Sequence, residues 1–183
     1  MSLLTLHCQS RYQTDHRWVI LVLCAWLLLA GTAISGTPIE HDPQGFLGIP
    51  WGHPLMDRED LKEIDASNYL HIYTFKQKTP HVEGIPMESV KLYALKNHYA
   101  RALFHYQGAA THQSLLQYLE TRFGKIERSH GAMMRGLNQQ YTWRGPETEI
   151  SLTYHGFRER GFFTAESRVY SPLFLELHGD HAF

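Results

Sequence analysis

Histidine is the one residue type in excess, with thirteen in 183 residues. All but His7 and His16 lie beyond residue 35. Neutral imidazole is a common ligand for zinc and copper, so a metal site is the first chemistry to weigh against spacing. The spacing does not favour one. His98, His105 and His112 recur every seven residues, but the surrounding pattern assigns them to a hairpin connection, a strand and a helix start, which share no face. His178 and His181 flank Asp180 in a terminal stretch without a helical signal. No metal ligand and no cofactor is assigned, and a histidine-rich metal-binding or metal-dependent periplasmic protein is kept as the alternative reading.

The other reactive side chains are equally unconnected. Glu147 and Glu149 fall on one side of a strand, but they sit beside a turn, where nothing separates their acidities as a general acid and base require. Ser114 and Ser151 lack the glycine-flanked elbow of a hydrolase nucleophile. The two cysteines, Cys8 and Cys24, both precede any processing site, so the exported part carries no disulfide and no thiolate. No catalytic residue is assigned, and no enzymatic activity is expected. Trp51, Tyr141, Trp143 and Tyr154 are the candidate binding surface. Large aromatic rings normally pack inside, and they mark a partner or glycan site only where several are exposed together.

Seventeen Lys and Arg against eighteen Asp and Glu give almost no net charge. That excludes the basic footprint of a nucleic-acid binder. Trp18 to Ala30 is an unbroken apolar run preceded by Arg11 and Arg17 and followed by Ala33-Ile34-Ser35 before Gly36, the layout of a signal peptide with a small-x-small cleavage site. If it is not cleaved, the uncharged stretch 18–39 is long enough to act as a signal anchor. The expected location is therefore the periplasm or the medium, with inner-membrane attachment only in the uncleaved case.

Behind residues 1–35, residues 36–45 read as a polar linker, 46–172 as a single domain and 173–183 as a flexible tail. Residues 46–52 form a short extended piece, and Asp57, Asp60, Leu61 and Ile64 predict a short capped helix. Period-two alternation predicts strands over 69–75, 90–95 and 99–106, the last two joined at Lys96-Asn97-His98. Leu115, Tyr118, Leu119 and Phe123 predict a helix that Gly124 ends in a left-handed conformation. Strands are predicted at 139–143, 149–154 and 162–170, with Ile150, Leu152 and Tyr154 inward and Glu149, Ser151 and Thr153 outward. The fold class is α+β, an antiparallel sheet backed by two helices on one face in the order β-α-β-β-β-α-β-β-β.

Gly48-Ile49-Pro50-Trp51-Gly52 after a signal peptide, Gly84-Ile85-Pro86 leading into a strand, and Tyr141-Thr142-Trp143-Arg144-Gly145 before Ile150-Ser151-Leu152-Thr153-Tyr154 together resemble a group of uncharacterised bacterial secreted or periplasmic proteins, over residues 45–170. That group implies a compartment and no activity. The element order is also similar to that of β-lactamase inhibitor proteins and of a small outer-membrane-assembly lipoprotein. This likeness implies binding of a protein or the cell envelope through a helix-backed sheet, with fold as its only warrant. The expectation is an extracytoplasmic, non-enzymatic binding domain.

Overall fold

Alternating apolar and polar residues build the centre of a single sheet, seen in a computed structural model that describes residues 36–76, 81–126 and 138–178. The central strands are β8 (Ser89–Leu95), β9 (His98–Gln107), β11 (Thr148–His155) and β12 (Arg160–Ser167). Around them lie β1 (Thr37–Pro38), β4 (Leu61–Ala66), β5 (Leu70–Phe75) and β10 (Asn138–Arg144). The eight pair in the order β1-β10-β11-β12-β9-β8-β5-β4. Two small hairpins, β2 (Gly45–Phe46) with β3 (Ile49–Pro50) and β6 (His81–Val82) with β7 (Ile85–Pro86), stand outside the sheet.

One face of the sheet carries Leu92, Ala102, Phe104, Tyr106, Trp143, Ile150, Leu152, Phe163 and Ala165, all buried. Helix α1 (Ala109–Phe123) lays Leu115, Leu116, Leu119 and Phe123 into this layer. Phe46 of β2 fills the neighbouring space, edge-on to Phe104 and Phe163 at 5.7 Å each. Burying one such side chain contributes roughly 1.5–3 kcal/mol, so this layer is the main source of stability. Leu47-Gly48, Glu83-Gly84 and Lys96-Asn97 all have positive φ, the geometry of two-residue turns whose twist matches that of the strands they join.

The α+β class stands, but the arrangement departs from expectation in four places. Residues 61–66 form β4 and not a helix. Leu61 is buried while Ile64 is 46% exposed, so the two apolar positions do not share a face, and pairing with β5 supplies the backbone bonds. Lys62, Glu63 and Asp65, with the irregularity between Glu63 and Asp65, suit an edge strand that must resist further pairing. Residues 36–45 are not a linker, since the compact unit begins at Gly36. Thr37 and Pro38 pair in parallel with Trp143 and Arg144, which makes the sheet mixed and not purely antiparallel.

Ser171–His178 forms a second helix, α2, inside what reads as a tail. Phe174 is 6% exposed and meets Tyr93 edge-on at 6.2 Å. Tyr93 alternates with the core-facing Leu92, so the two helices pack on opposite faces of the sheet and not on one, and the element order is not the expected β-α-β-β-β-α-β-β-β. The fourth departure is local. Gly124 has positive φ as expected, but with φ 111° and ψ 148° it is extended, a region open essentially to glycine alone. Expectations for the hydrophobic segment, for residues 78–80, for the loop 131–136 and for the end from residue 179 fall outside the described residues. No helix among the described residues is long and apolar enough to cross a membrane.

Candidate functional site

The alternation that fills one face leaves the other with half-exposed side chains, and the strand order lines them up in rows. The first row runs Arg144, Glu149, Glu166, Arg101 across β10, β11, β12 and β9. Arg144 Nε donates to Glu149 Oε2 at 2.6 Å, and Arg101 Nε donates to Glu166 Oε2 at 2.7 Å. Two like charges stand side by side in the middle, and an arginine neutralises each from the outside. The bond to Glu149 raises the pKa of Arg144 above its usual value and keeps it charged. Arg101 is held a second time, with its guanidinium 4.0 Å from the centre of the Phe174 ring on α2.

The next row is small and hydroxyl-bearing. Thr142, Ser151 and Thr164 continue to Leu103 and Lys91, with Thr142 Oγ1 3.4 Å from Ser151 Oγ. The third row runs Gln140, Thr153, Phe162, His105 and Ser89. Ser89 Oγ lies 3.1 Å from His105 Nδ1, and the His105 and Phe162 rings are 6.4 Å apart. Burial pushes the imidazole below its usual value, Lys91 adds to this and Glu88 opposes it. The serine and histidine are neighbours on a flat sheet whose backbone N–H groups are taken by strand pairing. Transition-state stabilisation by backbone donors has no place there.

The four aromatic residues expected to form a binding surface are not on this face. Trp143 is fully buried, and Tyr141 and Tyr154 are 5% exposed, because all three alternate onto the core side of β10 and β11. Trp51 is partly buried against Tyr99, with its Nε1 donating to Thr148 Oγ1 at 2.9 Å. Their apolar area is spent on packing, which removes Trp51, Tyr141, Trp143 and Tyr154 as an exposed platform.

The histidines are also dispersed. His98 Nδ1 lies 3.0 Å from the Gly52 carbonyl, with its ring on Tyr170, while His105 is on the open face and His112 is in the core. No group of three or more metal-ligating side chains comes together among the described residues. Glu147 lies in the turn before β11 while Glu149 is paired with Arg144, so the two acids do not act together.

His112 is held in a box of tyrosines. Its ring stacks on Tyr154 at 4.4 Å, Nε2 is 3.0 Å from Gln139 Oε1, and Nδ1 is 2.8 Å from Tyr106 Oη. Burial lowers its pKa below 6.5, and the bond to Gln139 opposes this more weakly. The folded state therefore binds fewer protons than the unfolded chain. The stability this brings is present above about pH 6.5 and is lost as pH falls through the folded-state value. Thermal unfolding followed from about pH 7.5 to about pH 5 should show a falling Tm, and His112→Gln should flatten the dependence while His105 supplies the remainder. A slope unchanged in the variant contradicts this assignment.

Asp42 gave no signal in sequence beyond lying in a polar stretch, yet it organises the end of this face. It accepts backbone N–H bonds from Gln44, Glu147 and Thr148 and a hydroxyl bond from Thr148. Partial burial pushes its carboxyl up, but the Thr148 hydroxyl and the three backbone donors together bring it below 3.8. The turn that delivers Glu149 to Arg144 is thereby tied to the first residues of the domain. No known protein family, curated protein or solved structure matches this chain.

Proposed function

We propose that this chain is a non-enzymatic binding domain that works outside the cytoplasm and docks a protein partner on the open face of β10, β11, β12, β9 and β8. The observation that supports it most is the composition of that face. Partly exposed Ser151, Thr164 and Thr142 lie in rows with Leu103 and Phe162, and α2 packs over Tyr93 and Arg101 at one side of this face. Apolar side chains set among small hydrogen-bonding groups suit a protein surface. Arg144 and Arg101 on this face are already paired with Glu149 and Glu166, so these two cations offer no free charge to an anionic lipid surface. The extracytoplasmic part of the reading rests on the apolar run at Trp18 to Ala30 and on the resemblance to secreted and periplasmic proteins.

Site-specific photo-crosslinking in the envelope of living cells tests both parts. A crosslinker at Thr164 or Ser151 should give an adduct of discrete mass in the extracytoplasmic fraction, while one at Gln117, exposed on α1, should not. Equal labelling from both faces, or a chain that stays in the cytosol with its initiating Met, overturns the proposal.

A further inference from the structure

Away from the open face, a cleft of about 930 Å³ lies between the β2–β3 hairpin, the β6–β7 hairpin and the last turns of α1. Its size is within the range of small-ligand sites, roughly 300–1,000 Å³. Phe46, Leu47, Val82 and Phe123 give it apolar walls, of which Phe46, Val82 and Phe123 are buried in the core. The polar groups of the lining include Glu83, at the tip of one hairpin, and Tyr118 and Arg122, one turn apart on α1.

Two features make this more than a packing gap. First, Glu83 and Arg122 are exposed and make no ion pair with each other or with any other described residue. Second, Tyr118 lines the same cleft as both charges. Burial is the main cause of its raised pKa, the Glu83 charge raises it further, and the Arg122 charge lowers it. The cleft is thus lined by an anion and a cation that do not pair with each other, by His81 and Tyr118, and by the apolar Phe46, Val82 and Phe123. The positive φ of Glu83 and Gly84 fixes where the anion stands, because the turn between β6 and β7 requires that geometry.

We infer that this cleft binds a small zwitterion with an apolar side chain, its carboxylate on Arg122, its ammonium on Glu83 and its side chain against Phe46, Val82 and Phe123. The charge arrangement selects this class. A simple anion would meet Glu83, a simple cation would meet Arg122, and a neutral apolar molecule would leave both charges unused. Such a ligand comes from two sources, a free amino acid or a short peptide with both ends unblocked.

Calorimetric titration of the chain as purified from expressing cells, with L-phenylalanine in one arm and leucyl-phenylalanine in the other, decides between them. Saturable binding in either arm supports the site and names the source. The acetylated and amidated dipeptide should bind at least about fivefold more weakly, and Arg122→Gln and Glu83→Gln should each lose about five- to tenfold, the scale of one partly exposed ion pair. Both side chains are exposed, so neither variant threatens folding. Blocked and unblocked dipeptides of equal affinity, variants that bind as the parent does, or no saturable binding in either arm overturns the inference. None of these outcomes bears on the open face, which lies on the other side of the sheet.

Discussion

Gly161→Val is expected to cost about 3 kcal/mol or more, or to prevent folding altogether. Gly161 is in β12, in register with Tyr106 of β9 and Tyr154 of β11. A Cβ there would stand 2.2 Å from Tyr106 Cζ and 2.5 Å from the Thr153 carbonyl oxygen. The tyrosine ring has no free direction, because its Oη donates to that same carbonyl and meets His112 Nδ1. The carbonyl belongs to an interior strand and is held from both sides. Gly161 is thus the gap into which a cross-strand tyrosine lies, a known use of glycine in strand interiors.

Denaturant unfolding of Gly161→Ala, Tyr106→Ala and the double variant checks this reading. Each single change should destabilise, and the pair should cost less than the sum, since the collision disappears with the ring. A Gly161→Ala protein within about 0.5 kcal/mol of the parent would show that the strands part easily there and would sink the argument.

How much of this was legible in the chain depends on the range of the interaction responsible. The hairpin at Lys96-Asn97, the helix ending at Phe123 and the inward set Ile150, Leu152 and Tyr154 follow from local rules of turn chemistry and periodicity, and they stand. Leu61 and Ile64 were too few to distinguish a period of 3.6 from a strand with an irregularity, and pairing with β5 decided the matter. Residues 36–45 looked like a linker because their reasons for order lie more than a hundred positions away, in the donors that Asp42 accepts from Glu147 and Thr148. α2 was hidden for the same reason, since its anchor Phe174 is useful only once Tyr93 and Arg101 are side by side.

The candidate site was half legible. That Glu149, Ser151 and Thr153 face outward could be read from β11 alone. That Glu149 shares a row with Arg144, Glu166 and Arg101 could not, because it needs β12 to return beside β9 and leave the β8–β9 hairpin near the centre of the sheet. The cleft combines two hairpin tips with the end of a helix, and each of these reads in isolation as an ordinary turn or cap.

Trp143→Ala should destabilise the domain by about 3–5 kcal/mol, the range for removing a large buried aromatic ring. Trp143 is fully buried on β10 and sits where three parts of the chain meet. It pairs with Ile150 of β11 on one side and with Thr37 of β1 on the other, and its Nε1–H donates to the Gly124 carbonyl at 2.8 Å. Gly124 N donates in turn to Glu120 O, so the indole holds the end of α1 down on the sheet. Removing the ring leaves a cavity and also an orphaned carbonyl in a glycine whose backbone conformation few other residues can take. Trp143→Phe separates the two contributions, because most of the apolar area returns and the donor does not. It should cost about 1–2 kcal/mol, the scale of one buried hydrogen bond. For a domain of this size the alanine variant corresponds to a fall in Tm of roughly 8–16 °C. A phenylalanine variant as unstable as alanine would mean that the tie to Gly124 outweighs packing. An alanine variant as stable as the parent would mean that β1 and α1 hold to the sheet without the indole, contrary to the role argued for it here.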